Sequence, residues 1–149
     1  MRIEDEIQQK DFGDDYRRLL VNLLFTNNWL NQQLMPFFRK LGLTLQQHNV
    51  MGILKGQHPK PVCFGEIQSR MVDRNSNVTR LIDKLIEKGY VTRDICQANR
   101  RMIEVRLTPT GLDKLQQVND ALPSLYRQLH NLNQEEAVLA SNLLDKLRG

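Results

Sequence analysis

A mainly α fold with a small β-wing is what these 149 residues predict, and three patterns predict it. Apolar residues recur at helical spacing, as in Val78, Leu81, Ile82 and Leu85, which fall at i, i+3, i+4 and i+7 and so share one side. Alternation of period two occurs in Met102 to Leu107, where Ile103, Val105 and Leu107 face one way and Met102, Glu104 and Arg106 the other. Two long, apolar-striped segments, residues 1–40 and 109–149, lie on either side of that central region.

The elements follow in order. Tyr16 to Arg39 is rich in leucine at helical intervals, with Leu19, Leu20, Leu23, Leu24 and Leu34 prominent. Pro36 lacks the N–H of the helix ladder and is expected to kink or end this segment, which Gly42 closes. In "LTLQQHNVMGILKG", Thr44 and Gln47 have the spacing of a capping box, and Gly56 suits the residue just past a helix. Leu45, Val50, Ile53 and Leu54 supply its core contacts. "QHPKP" is a loop and "VCF" a brief extended piece.

"GEIQSRM" forms a short helix with Ile67 and Met71 pointing inward. After the turn "VDR", a second helix begins at Asn75 as N-cap and stops at Gly89. Two short helices joined by so brief a turn are a helix-turn-helix. Val91 to Ile95 and Met102 to Leu107 are strands, and "CQANR" between them is a polar hairpin turn with Arg100 and Arg101 near its tip, a wing. Thr108 caps the next helix, with Pro109 at its first position, and that helix runs to about His130 with a kink expected at Pro123. The last helix opens on an Asn133/Glu136 capping box and carries Val138, Leu139, Leu143, Leu144 and Leu147.

A lone winged helix-turn-helix needs roughly 70 to 80 residues. The chain therefore divides into N-terminal dimerisation helices at 1–40, a winged helix-turn-helix at 41–108, and C-terminal dimerisation helices at 109–149. Burying the flanking stripes is simplest against each other and against a second copy of the chain.

Composition narrows the function. No apolar run approaches the roughly 20 residues that span a bilayer, and the polar, acidic start "MRIEDEIQQKDFGDDY" has no signal-peptide core, so a cytoplasmic protein with no membrane partner is expected. Cys63 and Cys96 lie far apart with no metal-ligand spacing, which predicts no disulfide framework, no metal and no cofactor. A Gly-rich phosphate loop is absent, and His48, His58 and His130 sit in separate segments; an enzyme is not expected. Residues 70–106 hold nine basic side chains against five acidic ones, an excess of four that equals the net charge of the whole chain. Positive charge concentrated in a quarter of the sequence is the footprint of a phosphate-binding surface.

The order of elements, with "LTLQQHNVMGIL", "NSNVTRLIDKLIEKGYVTR", "NRRMIEVRLTPTG" and "LNQEEAVLASNLLDKL", resembles the MarR family of bacterial transcriptional regulators over roughly residues 15–148. The resemblance implies a triangular homodimer with interlocked terminal helices and one winged lobe on each half of a palindromic operator. Many members carry Asp two positions before the wing-tip arginine. Asn99 stands there in this chain, able to accept a hydrogen bond from Arg101 without charge assistance.

On double-stranded DNA, the amino-terminal part of the second helix would enter the major groove. Ser76, Asn77, Thr79 and Arg80 are placed to reach base edges, Arg80 suiting guanine and Asn77 adenine. Arg74 and Lys84 suit phosphates, and Arg100 and Arg101 suit the narrow, A·T-rich minor groove. Half-sites are expected roughly 34–36 Å apart. The family's aromatic effectors would meet Trp29, Phe37, Phe38 and His48. A redox alternative uses Cys96, near Arg93 and Arg100, with Cys63 expected to be buried. A winged-helix adaptor for protein is a further alternative, one that predicts a face poor in basic and amide side chains.

Overall fold

The structure, a computed structural model, describes residues 1–95, 102–129 and 131–149, with the backbone alone for Gln128 and Leu129. It divides into two compact units, Met1–Leu45 and Gln46–Gly149.

The first unit contains α1 (Ile3–Glu6) and α2 (Asp15–Lys40). Helix α1 is too short to show a period in the sequence; tertiary contacts make it. Ile3 is buried, and Glu4 accepts a hydrogen bond from Arg18 Nε at 2.6 Å. That bond, more than any other influence, holds the Glu4 carboxyl below its ordinary pKa. Asp14 caps α2 by accepting from the N–H groups of Tyr16 and Arg17.

Pro36 does not end α2, which continues to Lys40. A proline removes one ladder bond, and here the turn beyond it is closed by other amides. Leu43 N–H donates to the Phe38 carbonyl and Gly42 N–H to that of Arg39, with Gly42 at φ +73°. This closure needs a residue that tolerates a left-handed backbone, which glycine does.

The second unit takes in nearly all of α3 (Leu45–Lys55), followed by β1 (Val62–Cys63), α4 (Phe64–Arg70), α5 (Val78–Glu87), β2 (Val91–Ile95), β3 (Ile103–Leu107), α6 (Pro109–Leu129) and α7 (Gln134–Arg148). The strands form an antiparallel sheet in the order β1-β3-β2. Val62 pairs with Val105, Val91 with Leu107 and Ile95 with Ile103. Val50, Met51, Leu54, Val62, Ile67, Val78, Ile82, Leu85, Val105 and Val118 are fully or almost fully buried and form the core.

Ile103 departs from the expected alternation. It is exposed, as is its partner Ile95; β1 reaches only to the level of Glu104, so that among the described residues the outer end of β3 has no strand neighbour on that side. Helix α6 starts as expected, with Thr108 Oγ1 accepting from Gly111 N–H at 3.0 Å, and it runs through Pro123 without ending. Gly111 is required by packing: a Cβ there would lie 2.0 Å from the Tyr90 carbonyl oxygen. The Asn133/Glu136 capping box forms with both of its hydrogen bonds. No residue of α7 is buried. Among the described residues, no helix is long and apolar enough to cross a membrane.

Candidate nucleic-acid interface

Helix α5 is built to expose one face. Val78 and Ile82 are 1% exposed and Leu85 is fully buried, so these side chains anchor the helix, with Leu81 half-buried beside them. Thr79, Arg80 and Lys84 are exposed on the rest of its surface.

The helix begins two residues later than the sequence predicts. Its N-cap is Asn77, whose Oδ1 accepts from Arg80 N–H at 3.0 Å, and not Asn75. Asn75 is already committed elsewhere. Its N–H donates to Asp73 Oδ1, Ser76 Oγ donates to Asp73 Oδ2, and Ser76 N–H donates to the Asp73 carbonyl. Such a turn, organised by an aspartate, competes with helix and postpones it. The cap also engages Asn77 Oδ1, the atom that would accept from adenine N6.

Two side chains from outside the turn grip it. Asn49 Oδ1, on α3, accepts from Val72 N–H at 2.9 Å. Gln68 Nε2, on α4, donates to the carbonyl of Arg74 at 2.8 Å and lies 3.5 Å from that of Ser76. Neither residue stood out in the sequence, because each acts through a backbone group distant along the chain. The Asp73-x-Asn75-Ser76 pattern was the available signal for the turn.

Several of the basic side chains of this region are matched by acids. Arg70 pairs with Glu66 at 3.0 Å, Lys84 with Glu87 at 2.8 Å, Arg93 with Asp83 at 2.9 Å and Arg106 with Glu104 at 3.5 Å. Among the described residues, the guanidinium groups of Arg74 and Arg80 have no hydrogen-bond or ion-pair partner. Both are exposed, one just before α5 and one in its first turn. Among the described residues, two arginines without a partner thus stand at the helix amino terminus, where backbone N–H groups also favour anions.

The other candidates are dispersed. Arg100, Arg101 and Cys96 lie outside the described residues. Trp29 and Phe37 are half-buried and Phe38 is buried, its ring meeting that of Phe37 edge to face at 5.2 Å. His48, in the second unit, is half-buried. Burial lowers its pKa, and a hydrogen bond with Asn119 on α6 acts in the opposite direction. Cys63 is half-buried instead of buried, and it lines a cleft of 340 Å³ with Phe64, Gly65, Met102 and Ile103.

A short helix pair, a hairpin against the second helix and an exposed basic amino-terminal face define a winged helix-turn-helix protein. Residues 43–103 match the model of the MarR family. It is 26% identical over 143 residues to the HTH-type transcriptional regulator PapX of Escherichia coli, covering 94% of this chain and 87% of PapX. It is 29% identical over 119 residues to the HTH-type transcriptional repressor MdtR of Bacillus subtilis, covering 79% of this chain and 76% of MdtR. In fold it is similar to a mutant MarR from E. coli in complex with operator DNA. The TM-score is 0.74 at 24% identity, over 90% of this chain and 99% of that one.

Proposed function

We propose that the chain is a homodimeric, sequence-specific transcriptional regulator that binds double-stranded DNA and acts as a cytoplasmic repressor on a palindromic operator. The observation that carries this reading is the outward face of α5, where Arg80 is exposed with no partner among the described residues while the opposite stripe is buried. A guanidinium free of intramolecular ion pairs is available for bidentate bonding to guanine O6 and N7. Thr79 and Ser76 meet neighbouring base edges. Asn77 contributes its amide N–H₂ while its oxygen caps the helix. Arg74 and the first amides of α5 hold phosphates, and Lys84 does so in exchange for Glu87. Arg100 and Arg101 enter the minor groove.

Dimerisation is supported by the apolar surface on the terminal helices. Leu19, Leu20 and Leu24 on α2, and Val138, Leu139, Leu143, Leu144 and Leu147 on α7, are exposed in the single chain. A second copy would bury them, with residues 1–40 and 109–149 as the dimerisation segments and 41–108 as the DNA-binding one. MdtR is named as a repressor, which supports the sign of the regulation.

A small aromatic effector would release the DNA; of its expected contacts, Trp29, Phe37 and Phe38 lie in the first unit and His48 in the second. Trp29 is the single tryptophan, so quenching of its fluorescence by salicylate reads this step directly, and no quenching at saturating concentration rejects that compound as its ligand. An adaptor for protein partners is disfavoured by Arg80 on α5 and Arg74 just before it, neither of which is paired with an acid among the described residues. Selection of bound duplexes from a random pool tests the whole reading: a recovered palindrome supports it, and a pool with no enrichment refutes it.

A further inference from the structure

We propose that Gln68 and Asn49 are positioning residues for DNA binding, holding the 72–76 turn so that Arg74 is presented to a phosphate; this rests on the DNA-binding reading above. Three facts point to it. The turn is gripped from two different helices, by Asn49 at its first amide and by Gln68 at the carbonyls of Arg74 and Ser76. Asp73 ties its interior, and Asn77 begins the helix immediately after it. Arg74, carried on this turn, is exposed and has no partner of its own among the described residues, so its place in space is set by its backbone alone.

Gln68 and Asn49 are each half-buried, and the backbone groups that they engage lie in an exposed turn. Water could satisfy those groups almost as well, so the bonds add little to stability. What they do add is geometry. A turn freed of them would sample many conformations, and Arg74 would have to be ordered again each time a phosphate is bound. That entropic loss appears as weaker binding and as fewer phosphates engaged.

The test is anisotropy titration of a fluorescein-labelled random-sequence duplex pool across a range of salt concentrations, since phosphate contacts register without the operator. Gln68→Met retains side-chain length and helix propensity while removing the donor. It is expected to weaken binding about three- to tenfold, and to make the log K against log salt line shallower by about one per bound subunit. Arg74→Ala should do the same, and the double variant should bind like Arg74→Ala alone. Asn49→Ala should reproduce the effect from the other side of the turn. An unchanged slope in Gln68→Met, with or without a lower melting temperature, overturns the proposal, as do losses in the two single variants that multiply in the double. If the wild-type protein itself shows no salt-dependent affinity for the pool, the DNA-binding reading fails first, and that result is distinguishable from the others.

Discussion

In α5, Val78, Ile82 and Leu85 are no more than 1% exposed, whereas in α7 Leu143 is 57% exposed and no residue of the helix is buried. Both helices carry an apolar stripe, and both begin at an asparagine cap. The stripe of α5 is covered from within its own unit, by α4 and β2. That of α7 remains in contact with water in the single chain. A helical period thus tells which side chains seek cover, and says nothing about whether the cover belongs to the same molecule. The basic side chains teach a parallel lesson. Lys84 and Arg80 look alike in sequence, yet Lys84 pairs with Glu87 while Arg80 pairs with no acid among the described residues.

The largest effect that would test this contrast is in the core. Leu85→Ala should cost about 2–5 kcal/mol in chemical denaturation, because the cavity cannot be filled from solvent, and the loss should not depend on protein concentration. Leu143→Ala should instead move a transition that shifts with dilution, since a stripe covered by a second copy is stabilised by mass action. Equal, concentration-independent losses would erase the distinction. On the polar side, Arg80→Ala should cost about 1–3 kcal/mol of operator affinity and relax preference at one base pair, with the melting temperature unchanged.

A smaller change is expected at the start of α7. Asn133→Ala removes the acceptor for Glu136 N–H and should cost about 1 kcal/mol in a thermal melt. A much larger loss would mean that α7 is held mainly by its cap.

The smallest effect concerns pH. Burial lowers the pKa of His48 in the folded chain from its ordinary value of 6.5. As pH falls through that value, the unfolded chain takes up the proton before the folded one does, so stability declines. The stabilising contribution is complete above the unfolded value and is lost toward the folded one, after which the curve flattens. In His48→Asn this part of the stability–pH curve should be absent.

Much of the fold was legible. The stripe of α5, the capping box of α7, the Thr108 cap and the alternation at Val105 and Leu107 are all local patterns, and each appears in the structure. Other features were not. Helix α1 depends on the burial of Ile3 and on Arg18, fourteen residues beyond Glu4 and so outside a short window. Pro36 and Pro123 stay inside their helices, although proline is locally a helix breaker. Ile103 is exposed, beyond the level that β1 reaches. The candidate site was legible in its arginines and less so in its frame, since Asn49 and Gln68 meet the turn only once α3, α4 and α5 have been brought together.

The amino-acid order alone determined where the longer helices run, which residues line their apolar sides and that positive charge collects between residues 70 and 106, because these follow from side-chain spacing and local hydrogen bonding. Only the tertiary structure decided which asparagine caps α5, which arginines are left without an acid, and that α7 ends up uncovered in the single chain. Those outcomes are decided by competition for a hydrogen bond, a counter-charge or cover, won by whichever group arrives closest, whether it lies a few residues away, as Asp73 and Glu87 do, or on another element, as Asp83 does for Arg93.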